Sequence, residues 1–390
     1  MITLKYSGVI VMKLLVKIIA GVTLCSVAYQ ALACSDIFVN KGGYHIEGRT
    51  MDLALNISHN EAFYFVGQKN TSDVVVDADK IPVNQLASWT NKYGYWGRNA
   101  FNTPLITDGM NTQGLSVALQ TMIAKYPTYN PADKRPVLSV FELGNYVLSQ
   151  AKDVPEALKL LQSRQLVTAA IKVKDGTYIK DIPVHFSLRD SKGNSAVIEF
   201  MDGKIQIYNS AGNVMTNDPA YPQQLANAEK YKNINSKIDN NTLLKGVPGS
   251  LTSLDRFVRS DVLLNSLPKP DSLSEALYQT DLVLSSLSYY PAYNNKEAGG
   301  ATIWRVIKDL DNKVVYTSNL VYYQGGNKIA PTALSNRNYT VIDLKQIDFN
   351  QIPEEYQNMV FKPTPKVDVK FLASAAQAMP SLVFTEEARK

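Results

Sequence analysis

The stretch CSDIFVNKGGYHIEGRTMDL, Cys34 to Leu53, reads as a β-hairpin. Two strand-like runs, SDIFVN and YHIEGRTMDL, flank a turn supplied by Gly42-Gly43. The first residue is odd. Cys34 stands directly before a strand, and nothing nearby is spaced to pair with it.

What precedes Cys34 reads as a secretory signal over residues 1–33. Lys5, Lys13 and Lys17 supply positive charge, and no Asp or Glu occurs before Asp36. The apolar run IIAGVTLCSVA is shorter than the roughly 20 residues that a membrane span needs. Ala31-Leu32-Ala33 then gives a small-x-small cleavage pattern. Met12 would serve as a start as well as Met1, because MKLLVKIIAG already holds both the charged and the apolar region. ALAC also looks like a poor lipobox, in which Cys34 would be lipidated. Such boxes usually carry Leu three residues before the cysteine, where this chain has Ala31; Ala31 and Ala33 suit ordinary signal peptidase better. The expectation is cleavage after Ala33, a periplasmic or secreted protein, and a single domain over residues 34–390.

That cut would also remove Cys25, leaving Cys34 as the only cysteine and no intramolecular disulfide. An exported protein gains nothing from an unpaired thiol, which invites oxidation. A buried cysteine acting as a small apolar residue is the bland alternative, and the terminal position argues against it.

The chain carries 40 basic and 35 acidic residues, and losing three lysines with the signal takes the formal charge from +5 to +2. That is no electrostatic footprint for nucleic acid. Hydrophobic content of 45% is that of an ordinary globular protein, and no apolar run after the signal is long enough to span a bilayer.

Strands and helices alternate in blocks. DGMNTQGLSVALQ reads as a turn followed by a strand. VLSVFELGNYVLSQA and VPEALKLLQS carry helical periodicity, with Pro155 at a helix start. VTAAIKV, PVHFSLRD, SAVIEFMDG and KIQIYNS form a β block. DPAYPQQLANAEKY, LTSLDRFVRSDVLLNSL and DSLSEALYQTDLVLSSL read as helices, the last capped by Asp271 or Ser272. ATIWRVIKDLDNKVVYTSNL closes with a second hairpin, and residues 289–300 form a loop. Grouped strands beside grouped helices predict an α+β single domain with stacked layers.

Conventional catalytic patterns are missing. The three histidines, His45, His59 and His185, are far apart, and none has a partner at metal-ligand spacing. No zinc, phosphate-loop or dinucleotide motif and no GxSxG elbow occurs, so the sequence points to no metal and no cofactor. His185 lies inside a strand pattern and reads as structural. Cys34 therefore lacks an obvious base. Cleavage before it would supply one, because the freed α-amino group has a pKa of about 7.7–8.0 and the thiol one of about 8.5. Such an amine can take the thiol proton and later pass it to a leaving amine. This is the logic of the N-terminal nucleophile hydrolases.

Beginning at Cys34, the chain resembles the choloylglycine hydrolase and penicillin V acylase family. The opening hairpin with its GRTMD segment, DGMNTQGLSVAL, the β block ending in VMTNDP, GVPGSLTSLDRFVR and the ATIWRVIKDLDNKVVY hairpin occur in the family's order. Together they run from Cys34 to about Tyr316. The resemblance implies a four-layer αββα sandwich. It implies Cys34 as nucleophile with Arg49 favouring the thiolate and Asp52 holding the α-amino group. Asn217 would give its side-chain NH₂ to an oxyanion hole, where a preorganised donor is worth about 3 kcal/mol. Arg256 would complete the cluster. The second oxyanion group falls on Thr121, or on Gln120 with one gap. Where many relatives have Trp after the Arg-x-x-Asp pair, this chain has Leu53. Leu53, Tyr64, Met110, Met122 and Tyr221 are candidates for an acyl pocket.

The implied reaction is hydrolysis of a small linear amide such as penicillin V, a conjugated bile salt or an N-acyl homoserine lactone. Family members commonly form tetramers. The competing readings are a secreted or lipid-anchored binding protein that has lost chemistry, and a Cys-His hydrolase using His185.

Overall fold

The computed structural model describes residues 32–53, 59–72, 80–101, 103, 105–168, 170–172, 178–180, 182–235, 245–289, 301–324, 328–331, 339–352 and 372–374. The expected signal up to residue 31 lies outside them, as does all but the first residue of the 289–300 loop.

Cys34 lies in the first strand, β1 (Leu32–Lys41), which turns into β2 (Tyr44–Leu53). Gly42 and Gly43 have φ of +69° and +83°. That conformation suits a tight hairpin turn and costs glycine nothing. Next come β3 (His59–Tyr64), β4 (Tyr95–Ala100), β5 (Ile106–Asn111) and β6 (Leu115–Thr121). Helices α1 (Leu143–Gln150) and α2 (Val154–Gln162) follow. The β block is β7 (Val184–Asp190), β8 (Ser195–Met201), β9 (Lys204–Asn209) and β10 (Val214–Met215). After these come α3 (Tyr221–Ala228), α4 (Ser253–Ser266), α5 (Leu273–Leu287), β11 (Ala301–Asp309), β12 (Val314–Asn319) and β13 (Thr340–Asp343).

Local chemistry fixes the helix starts. Asp153, Thr252 and Ser272 each accept a hydrogen bond from the backbone N–H three residues on, satisfying a donor the helix itself leaves open. Ser272, rather than Asp271, is the cap of α5. Two segments differ from their sequence reading. DGMN is the end of β5 and not a turn, because the turn itself is only Thr112–Gly114. VLSVFELGNYVLSQA is not helical throughout: Val137–Ser139 pairs in parallel with Gln165–Val167, and the α-helix starts at Leu143.

The larger strands form two antiparallel sheets, ordered β10-β1-β2-β11-β12-β13 and β9-β8-β7-β6-β5-β4-β3. Strand alternation gives each sheet one face toward helices and one toward the other sheet. Val117, Leu119, Phe186 and Ile198 pack with Val147, Leu148 and Leu158 of α1 and α2. Ile37, Val39, Ile46 and Ile307 pack with Val258, Val262 and Leu284 of α4 and α5. Phe38, Met51, Trp96, Met110 and Trp304 fill the space between the sheets. The molecule is thus a four-layer αββα sandwich.

The layer between the sheets also holds fully buried charges. Arg189 reaches Asp36 at 3.3 Å, Lys308 reaches Glu47 at 3.2 Å and Asp108 at 2.8 Å, and Arg49 reaches Asp108 at 3.4 Å. Burial pushes the Glu47 carboxyl up to about 7 although the Lys308 charge opposes it.

Helix α5 sits directly on the hairpin at Gly48. A Cβ there would lie 2.5 Å from Thr280 Cγ2 and 3.1 Å from Leu284 Cδ1. Gly48→Ala is therefore expected to destabilise the fold by about 1–3 kcal/mol in denaturant unfolding. An unchanged midpoint would show that α5 is not seated this closely.

Candidate active site

The β1–β2 ladder sets the site. Cys34 is across from Met51, Ala33 across from Asp52 and Asp36 across from Arg49. Opposed residues of a ladder share a face, so the register sends Cys34, Met51 and Arg49 into the space between the sheets. It sends Thr50 and Asp52 toward the helices.

Cys34 is buried, with its Sγ 3.6 Å from Met51 Sδ. Burial raises its thiol pKa above the ordinary value; the nearby Arg49 charge is the largest opposing influence, and the Asp52 charge adds to the rise. A hydrogen bond from the Asp52 backbone and the Arg256 charge favour the thiolate. Arg49 is held rigidly. Its guanidinium donates to the carbonyls of Thr107 and Leu119, lies 3.4 Å from Asp108 and stacks 5.1 Å over the Trp304 ring.

Asp52 accepts from Thr50 Oγ1 at 2.8 Å and, through its other oxygen, from Thr302 Oγ1. Burial lifts the carboxyl to about 6, against the opposing pulls of Arg256, the two threonine hydroxyls and Arg49.

Asn217, just after β10, and Arg256, in the first turn of α4, close over the backbone of Cys34. Asn217 Oδ1 accepts from Cys34 N–H at 2.8 Å and from Arg256 Nη2 at 2.8 Å. Arg256 Nη1 donates to the Cys34 carbonyl and, at 2.6 Å, to Ser35 Oγ. Arg256 is fully buried. The Asn217 NH₂, expected in an oxyanion hole, donates here to Thr121 O at 2.8 Å and to Thr121 Oγ1 at 3.1 Å. The physical reason is that the Cys34 N–H needs an acceptor, which turns the Asn217 oxygen toward it and its NH₂ toward Thr121.

Gln120 is a strap between the sheets. With its amide turned so that both ends are satisfied, it donates to the Cys34 carbonyl at 3.2 Å and accepts from Asp36 N–H at 3.0 Å. Of the pocket candidates, Met110 shares the apolar cluster of Cys34. Tyr64 instead stacks on Tyr95 at 4.4 Å in the core beneath α1, with its hydroxyl on Asn99. Tyr221, the first residue of α3, packs against Phe257 of α4, and its hydroxyl accepts from Gly212 N–H. Met122 is buried outside the Cys34 cluster, and the Leu53 side chain lies outside the described residues. His185 is buried between the sheets with Nδ1 3.6 Å from Glu199. Among the described residues no group of three or more His, Cys, Asp or Glu is placed to hold a metal.

Sequence reasoning missed Thr50, Thr302, Ser35 and Asp108. Strand alternation could have found Thr50, which shares a face with Asp52. Thr302 carried no such signal, because its register against β2 is irregular.

Residues 34–336 match the family described as linear amide C-N hydrolases, choloylglycine hydrolase family. The chain belongs to that family. Among choloylglycine hydrolase relatives, penicillin V acylase of Pectobacterium atrosepticum is 35% identical over 185 residues, 46% of this chain and 47% of that protein. The aligned stretch thus spans about half of that relative. Bile salt hydrolase/transferase of Clostridium perfringens is 24% identical over 340 residues, 80% of this chain and 95% of that protein. The penicillin V acylase structure from Agrobacterium tumefaciens superposes with a TM-score of 0.63 at 22% identity, covering 87% of this chain and 99% of that one. It shares the fold.

Arg49→Gln removes the largest influence that lowers the Cys34 thiol pKa. The midpoint of Cys34 alkylation by iodoacetamide against pH is expected to move up by about one unit or more. A midpoint that stays in place would mean Arg49 does not act on the thiol.

Proposed function

We propose that the chain is an exported amidase, activated by cleavage after Ala33, with the α-amino group of Cys34 as its base. The observation that carries this reading is the register: the residue that cleavage removes, Ala33, is the one paired with buried Asp52, and the nitrogen that cleavage frees is already held by Asn217. Loss of Ala33 would free an amine next to the rung paired with Asp52, at the nitrogen bonded to the Asn217 oxygen, and a carboxylate and an amide oxygen both suit an ammonium.

The chemistry then runs in two halves. The amine takes the thiol proton, and Sγ attacks the amide carbon. Arg49 steadies the thiolate. One Asn217 N–H, released from the Thr121 hydroxyl, donates to the oxyanion. The C–N bond breaks as the ammonium gives its proton to the leaving amine, and an acyl-thioester remains. The amine next takes a proton from water, hydroxide attacks the thioester, and the acid departs as the proton returns to Sγ. The names of the relatives favour penicillin V and conjugated bile salts as substrates. N-Acyl homoserine lactones share their plan of an apolar acyl part on a polar amine.

Parallel assays of the purified protein on penicillin V, glycocholate and a long-chain acyl homoserine lactone test the reading. Hydrolysis of at least one is expected, with N-terminal sequencing showing a chain that begins at Cys34. Cys34→Ser should lower turnover at least about a hundredfold while leaving the fold intact. Parent-like turnover in that variant would refute the nucleophile.

The pH dependence has a defined sign. Only the ionised Asp52 can hold the ammonium, so kcat/KM should fall as pH drops through about 6 or below, since the new positive charge favours the carboxylate. Asp52→Asn should remove this limb. An identical acidic limb in the variant would assign it to another group.

A further inference from the structure

β11 has one residue more than β2 where the two pair beside the site. Thr302 is opposite Asp52 and Trp304 opposite Met51, so Ile303 is the extra residue of a β-bulge. In a regular strand, residues 302 and 304 would share a face. Here their partners are neighbours on β2 and point to opposite faces, so Thr302 and Trp304 do as well. Thr302 reaches Asp52 on the helix side, and Trp304 lies against Arg49 between the sheets.

The hydrogen bonds around Thr302 suit an ionised Asp52. Its Oγ1 accepts from the Tyr289 backbone N–H at 2.8 Å, and a backbone N–H can only donate. The single hydroxyl proton is therefore free to go to Asp52 Oδ1. Thr50 repeats the pattern on the other oxygen. Its Oγ1 accepts from Ser35 N–H at 3.2 Å and donates to Asp52 Oδ2 at 2.8 Å. Each carboxylate oxygen thus meets a hydroxyl already polarised by a main-chain N–H. A protonated Asp52 would waste at least one of these donors.

We propose that Thr302, delivered by the Ile303 bulge, and Thr50 are positioning residues that keep Asp52 anionic and fix its orientation toward the Cys34 amine. The inference rests on the reading of Asp52 as the partner of that amine, and neither threonine touches the reacting atoms.

The test reads Asp52 directly. Protein labelled with ¹³C at the aspartate carboxyls is titrated by NMR, with Asp52→Asn identifying the resonance. Thr302→Val should raise the Asp52 midpoint by about one pH unit, because a hydrogen bond to the charged form is lost. Thr302→Ser should titrate like the parent. Thr50→Val, an independent variant should Thr302→Val not fold, should shift the midpoint in the same direction. Where hydrolysis is measurable, the acidic limb of kcat/KM should move with the midpoint. A valine variant that titrates like the parent, or a serine variant shifted as far as valine, overturns the proposal. Because the NMR midpoint needs no turnover, failure of the parent to hydrolyse any amide would sink the amidase reading alone.

Discussion

The pairing of β1 with β2, from Leu32 opposite Leu53 to Lys41 opposite Tyr44, is the constraint on which the site depends. A slip of one residue would exchange the two faces of one strand. Cys34 would leave Arg49, and Ile37 and Val39 would face the charges between the sheets. Both ends of the hairpin resist such a slip. The Gly42-Gly43 turn fixes one end, and at the other Arg256, from the helix layer, and Asn217, just after β10, grip the backbone of Cys34. Gln120 holds the same carbonyl from the opposite sheet. The main chain of Cys34 is thereby anchored on both sides.

The charges between the sheets extend this anchoring to Arg49. A guanidinium taken out of water is costly unless its partners are close. Arg49 finds two carbonyls and Asp108, and Asp108 is in turn neutralised by Lys308, which also faces Glu47. The positive charge beside the thiol is thus part of a chain of fixed ions. A charge that cannot move aside keeps its full effect on a neighbouring ionisable group.

Much of this is legible in the amino-acid sequence. Cys34, Arg49 and Asp52 are close along the chain, and the period of two residues in a strand sorts them onto faces without further information. The caps at Asp153, Thr252 and Ser272 follow from side chains that compete for backbone donors. Asn217 and Arg256 emerge only through the family resemblance. Their convergence on Cys34 spans 183 and 222 residues of sequence separation, which no local pattern encodes. Thr302 is out of reach for a different reason: one inserted residue, Ile303, inverts the alternation that would have assigned its face. Tyr64 and Tyr221 look suited to a pocket by residue type alone, yet their hydroxyls find partners within separate cores.

The strand that carries Cys34 continues past it, with Ala33 and Leu32 forming two further rungs against β2. Removing those rungs leaves eight of the ten pairs, and the gripping contacts of Arg256 and Gln120 fall on atoms that remain. A chain still carrying Leu32 and Ala33 would thus share the architecture of the proposed mature one. It differs in a peptide nitrogen, which cannot accept a proton. Its latency would be chemical and not conformational: scission would start the reaction without any refolding.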